Sequence, residues 1–213
     1  MGFRLVERDY RVMNEVSRWR FCLGRHIRIL AGFPGRRSCD RRLTVMVKAD
    51  YLTREHYIYG IPSLYMVTQK AKEIFNLQYF TSSIRIENIQ HDIAVIETAI
   101  YLSHHGVDYN TIITERELKH QAGFGNPKHY PDFVYSQNNS TYCVEVELSL
   151  KKQATLESNI KSNYLKYDNQ KWFIPVDKVK ITEHVIQAEK KYPNIEIIPL
   201  DVVKEYVKTL WKE

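Results

Sequence analysis

Long apolar runs are missing from this chain: no stretch approaches 18 uninterrupted apolar residues, and charge begins at Arg4. A membrane-spanning helix or a secretory leader is therefore not expected, and no membrane partner is implied. Cysteine is scarce. Cys22, Cys39 and Cys143 are odd in number, scattered and without Cys-x-x-Cys spacing, which argues against a zinc knuckle or disulfide frame and for a reducing, cytoplasmic setting. No internal repeat or low-complexity tract is present. His-x-His is absent too, and the one close pair, His104-His105, is adjacent; adjacent rings point apart, which sets aside a nuclease site built on paired histidines.

What is present suits one medium domain or two small ones: 213 residues, of which 44% are hydrophobic, enough to bury ordinary cores. Charge is unevenly placed. Residues 1–75 hold fifteen Lys/Arg against seven Asp/Glu, a net of +8, whereas residues 76–213 sum to −2. The split suggests a basic module that meets a polyanion and a near-neutral module with another task. We place the division loosely in the weakly periodic stretch 76–90, giving modules 1–80 and 81–213.

In the first module, Tyr10, Val12, Met13, Val16 and Trp19 recur at helical spacing and predict a helix from Glu7 to about Arg20. A second short helix is expected over Arg25–Ala31, a turn at Gly32-Phe33-Pro34-Gly35, and a third helix over Arg36–Ala49. That third helix carries Arg36, Arg37, Arg41, Arg42 and Lys48 against Asp40 alone. Two β-rich runs follow, Tyr51–Tyr59 and Leu64–Thr68, around a Gly60-Ile61-Pro62-Ser63 tip, and Gln69–Phe75 returns as a helix. This order resembles a winged helix, a helix-turn-helix variant whose third helix enters the major groove of double-stranded DNA. Arg36, Arg37, Arg41, Arg42 and Lys48 are then the candidate DNA-binding residues, with Arg54 at the wing as backbone support. The plain alternative is a solvated basic face or a protein-contact module.

The second module turns on residues 131–148. Two β-rich runs flank Asn138-Asn139, a pair that tolerates the positive φ of a tight turn, so an antiparallel hairpin is predicted. With those two as the loop, Tyr135 faces Tyr142, Phe133 faces Val144 and Asp132 faces Glu145. Period 2 then gathers Asp132, Glu145 and Glu147 at one end of one face. Opposed like charges disfavour a sheet by up to about 1 kcal/mol, and a divalent cation reverses that sign. The plain alternative makes Glu145 and Glu147 the wet face of a half-buried strand.

Around the hairpin, His91–His105 reads as an amphipathic helix with Glu97 amid apolar neighbours, either a satisfied structural group or a fourth acid. Ser83–Glu87 and Tyr109–Ile113 are expected strands, Thr114 caps a short helix, and Gly123–Tyr130 is irregular. Beyond it come a helix (154–167), a buried strand (171–176), a helix (182–192), a strand (195–198) and a last helix (201–211). Strands alternating with helices imply an α/β mixed sheet covered on both faces, α+β for the chain as a whole. Fifteen tyrosines include Tyr164 and Tyr167 on a basic helix, which leaves a covalent Tyr nucleophile open.

Pro131-Asp132 followed by Glu145-Val146-Glu147 resembles the PD-(D/E)XK nuclease core, a restriction-endonuclease-like domain of mixed sheet flanked by helices. The resemblance puts Asp132 and Glu145 at its metal-ligand positions and implies Mg²⁺ or Mn²⁺ as cofactor. Its first core helix often contributes an acid, here Glu97. Glu147 stands where the motif has Lys, as in some restriction enzymes of that superfamily. Lys151, four residues on, either supplies the missing cation or is a solvated lysine at the strand end. Together with the winged helix, the chain is similar over roughly residues 5–175 to the replication-relaxation family and the C-class plasmid mobilization proteins. That likeness implies a metal-dependent, DNA-nicking relaxase-like endonuclease at a plasmid transfer or replication origin, catalysis resting on Asp132, Glu145, Glu147, Glu97 and Lys151. A non-catalytic accessory factor of the relaxosome or replication machinery, with a degenerate nuclease fold, is the alternative.

Overall fold

The computed structural model describes residues 4–81, 83–123 and 129–211. The chain divides into two compact units, Met1–Ile96 with Trp211–Glu213, and Glu97–Leu210.

The first unit opens with α1 (Glu7–Arg18), the two-residue strand β1 (Cys22–Leu23), α2 (Gly24–Leu30) and α3 (Arg36–Lys48). Then come β2 (Leu52–Glu55), β3 (Leu64–Val67) and α4 (Gln69–Ile74). Each expected helix is present, α4 capped by the Thr68 hydroxyl accepting from the Ala71 amide. The three strands form an antiparallel sheet in the order β1-β3-β2, with Arg54 opposite Tyr65 and Leu52 opposite Val67. The first of the two expected wing strands stops at Glu55, and β1 is an addition too short to carry a periodic signal. Phe21, Leu23, Leu64 and Met66 pack with Ile89 and Ile93 into one apolar cluster. Trp211 belongs to this unit, its ring stacked 3.8 Å from the Arg25 guanidinium.

Residues 83–87 do not make the expected strand. Arg85 is extended, but Ile86–Asn88 is a short 3-10 turn and Ile86 is half exposed; without a paired neighbour a short apolar alternation does not make a strand. It leads into α5 (Ile89–His104).

In the second unit, the expected strand over Tyr109–Ile113 shrinks to a 3-10 turn and β4 (Ile113–Thr114). Thr114 and Glu117 then cap α6 (Glu115–Ala122) reciprocally. Of the irregular approach expected over Gly123–Tyr130, residues 124–128 lie outside the described residues. Next are β5 (Phe133–Gln137), β6 (Ser140–Val146), α7 (Gln153–Tyr164), β7 (Asn169–Ile174), α8 (Val179–Glu189), β8 (Ile195–Pro199) and α9 (Leu200–Leu210). The result is a mixed five-stranded sheet in sequence order, antiparallel from β4 to β6 and parallel from β6 to β8.

The hairpin has the register read from the sequence: Phe133 pairs Val144, Tyr135 pairs Tyr142, and Asn138 and Asn139 turn at φ 51° and 61°. One sheet face presents Trp172, Ile174 and Ile195 to Leu156, Ile160, Ile181 and Val185 of α7 and α8. The opposite face presents Phe173 to Tyr101 of α5, whose ring also meets Tyr206 of α9. All three cysteines are free and buried. Among the described residues, no helix is long and apolar enough to cross a membrane.

Candidate functional site

Parallel pairing sets Glu145 beside Trp172, so Glu145 and, two residues on, Glu147 lie on the face covered by α7. The Asp132 amide donates to the Val144 carbonyl at 3.1 Å, and its carboxylate accepts from the Val146 amide at 2.7 Å. The three acids therefore meet at the carboxyl end of β6. This is no wet face: Glu145 is 5% exposed and Glu147 3%, against the plain reading of a solvated strand side.

Burial dominates the chemistry of Glu145. It raises the carboxyl above its ordinary value; His129 works against it by hydrogen bond, the neighbouring Asp132 charge works with it, and Asn163 works against it. Both bonds fall on one oxygen, Oε1, with His129 Nε2 at 2.6 Å and Asn163 Nδ2 at 2.8 Å. Lys151 is half-buried and paired. Its ammonium lies 2.5 Å from Glu147 Oε2, and although burial alone would lower its pKa, the bond to Glu147 and the fields of Glu147, Glu145 and Asp132 raise it. A cation thus stands beside Glu147, supplied by the residue four positions on.

Glu97 is buried and has an interaction of its own. It sits one turn before Tyr101 on α5, the helix facing Phe173, so it comes from the other side of the sheet from Glu145. His129 and Asn163 had no signal in the sequence: one stands in an irregular segment, the other on a helix with no partner residue at a telling spacing. Tyr164 packs against Tyr192. Burial, then the fields of Cys143, Glu145 and Tyr130, push the Tyr167 phenol up to about 12, which leaves it protonated and a poor nucleophile near neutrality. His104 and His105 turn to different partners, the Tyr206 hydroxyl and the Tyr101 carbonyl.

Among the described residues no three His, Cys, Asp or Glu side chains are grouped to hold an ion. Mg²⁺ needs fewer protein ligands, one or two carboxylates completed by water and phosphate. Asp132 and Glu145 fit that demand, as neighbouring oxygen donors of like charge, one half-buried and one buried, with a third acid two residues on.

In the first unit, α3 sorts its cations. Arg37, Arg41 and Lys48 are exposed and, four and seven residues apart, share the stripe opposite buried Cys39, Leu43 and Met46. Arg36 is exposed and lies 3.5 Å from Asp40. Arg42 departs from the expected DNA-contact role. Its Nε donates to Asp9 Oδ1 at 2.8 Å, and Nη2 donates both to Asp9 Oδ2 and, at 2.8 Å, to the Arg4 carbonyl. Asp9 is fully buried, so Arg42 clamps α3 to α1. Arg54 is exposed beside the Tyr65 ring, and Tyr59, at the tip between β2 and β3, is 99% exposed.

A polar groove of about 240 Å³ between α7 and α8, lined by Gln153, Glu157, His184 and Lys191 among others, includes none of the acids. Compared with known proteins, the chain matches no family model, no curated sequence and no solved structure.

Proposed function

We propose that this chain processes double-stranded DNA, docking through the α3 stripe of its first unit and cutting one strand with a magnesium- or manganese-dependent site in its second. The reading extends to plasmids or other mobile elements, at a transfer or replication origin, with relaxosome or replication proteins as partners. Helix order and a β2-β3 tip in the first unit support a winged helix. In the second, a helix, three strands, a helix and a strand support a nuclease-like core.

The observation that carries the proposal is the convergence of Asp132, Glu145 and Glu147 with the Lys151 ammonium at one strand end. Asp132 and Glu145 would hold the ion. When bound, it polarises the scissile phosphate and lowers the pKa of an attacking water. Lys151, held by Glu147, places a positive charge where charge develops on the phosphate oxygens. His129 and Asn163 fix the Glu145 carboxylate, which otherwise has rotamers to choose among.

Supercoiled plasmid, origin-bearing and control, incubated with Mg²⁺, Mn²⁺ or EDTA provides the test. Conversion to the open circle should need the metal and vanish in Asp132→Ala, with duplex affinity kept. Nicking that survives the substitution would end the proposal. One observation favours the accessory-factor reading: the acids already have protein partners without an ion, Glu147 the Lys151 ammonium and Glu145 hydrogen bonds to His129 and Asn163. That reading is supported by duplex binding with no metal-dependent nicking at all.

A further inference from the structure

Asn163 carries more than its bond to Glu145 requires. The residue is 1% exposed, and its Nδ2 donates to Glu145 Oε1 at 2.8 Å. That bond fixes the amide's orientation, because the flipped amide would press a carbonyl oxygen against a carboxylate oxygen. In this orientation Oδ1 is buried and accepts no hydrogen bond among the described residues. A buried acceptor without a donor is unfavourable and needs a physical reason.

Its surroundings supply one. The amide nitrogen holds this side chain against Glu145, whose carboxyl feels the Asp132 charge, and the fields of Glu147, Glu145 and Asp132 act together on the Lys151 ammonium. An ionised carboxylate offers such an acceptor no donor, whereas a cation meets its lone pairs directly. Hard divalent cations take amide carbonyl oxygens alongside carboxylates. An uncharged third ligand also adds no further repulsion to an acid group that already holds three carboxylates.

We infer that Asn163 Oδ1 is the third protein oxygen of the divalent-cation site formed with Asp132 and Glu145. The inference rests on the metal-dependent reading above and extends it to α7, a helix that the acid motif leaves out. It also accounts for both ends of one side chain: the amide nitrogen orients Glu145 and the amide oxygen meets the ion.

The test is Mn²⁺ binding to the full-length protein by calorimetry and electron paramagnetic resonance, without DNA. Wild type should bind, and Asp132→Ala should lose binding. Asn163→Ala should bind at least about tenfold more weakly, the scale on which groups around a metal site act. Asn163→Asp restores an oxygen and should recover the affinity lost in Asn163→Ala, with a larger Mn²⁺-induced rise in Tm than wild type because the apo form carries one more negative charge. Circular dichroism confirms that each variant folds. Should Asn163→Ala bind Mn²⁺ as wild type does, or Asn163→Asp fail to regain what Asn163→Ala lost, the Asn163 assignment is overturned while the Asp132 and Glu145 site stands. Should wild type bind no Mn²⁺, the metal reading falls and the Asn163 assignment with it.

Discussion

Arg42 and Arg37 are five residues apart on α3 and do different things. Arg42 bonds a fully buried carboxylate, and removing one partner of a buried pair strands the other. Arg42→Ala should therefore lower stability by about 3 kcal/mol in chemical denaturation. Arg37→Ala, on the outer stripe, should leave Tm unchanged and, on the DNA-binding proposal, flatten the salt dependence of duplex binding by about 0.9 in log–log slope. The distinction was legible: Arg42 falls three residues after Cys39 and four before Met46, on the inner side of the wheel, but a count of charges ignores the wheel. Glu145 gives a second prediction. Its carboxyl is raised above an ordinary value of 4.5, so the folded chain holds that proton more tightly than the unfolded chain does. Stability from this group is thus present at low pH and lost as pH rises from 4.5 through the higher folded value. Asp132→Asn removes one like charge and should shrink that loss, read as a shallower fall of Tm with pH across this window.

Among the elements, the β5-β6 hairpin was the most fully legible, because two local rules agree there. Asparagines tolerate left-handed backbone, and period 2 leaves one register that buries Phe133, Tyr135 and Val144 together. Asn139 sits at φ 61°, so Asn139→Val should destabilise by about 1–2 kcal/mol, since a branched Cβ crowds the carbonyl there. Equilibrium unfolding in urea checks it, and an unchanged midpoint would show that the turn is not what sets the register. Strand 83–87 misled because alternation shows what a sheet would accept, not whether a neighbouring strand exists, whereas 109–113 keeps its neighbour β5 at Ile113 and loses only its first residues to a 3-10 turn capped by Asp108. His129 and Asn163 were illegible for another reason. Single polar residues acquire meaning only when the third dimension sets them beside Glu145.

For the whole molecule, the uneven charge was visible at once, and it coincides with a first unit bearing the exposed α3 stripe. The scarcity of cysteine also proves informative. Burial comes first among the causes that raise each thiol, Cys39 to about 12, and it does the same to Cys22 and Cys143. Cys22 and Cys39 belong to the first unit and Cys143 to the second. In native buffer an aromatic disulfide reagent should therefore leave all three untouched over the time in which denatured chain reacts completely; prompt labelling of any one would contradict its enclosure. Under mild denaturant, the rates at which the first two and the third are trapped give an opening free energy for each unit. The molecule thus carries its own pair of clocks, needing no added dye, spin label or mutation to time the loosening of either half.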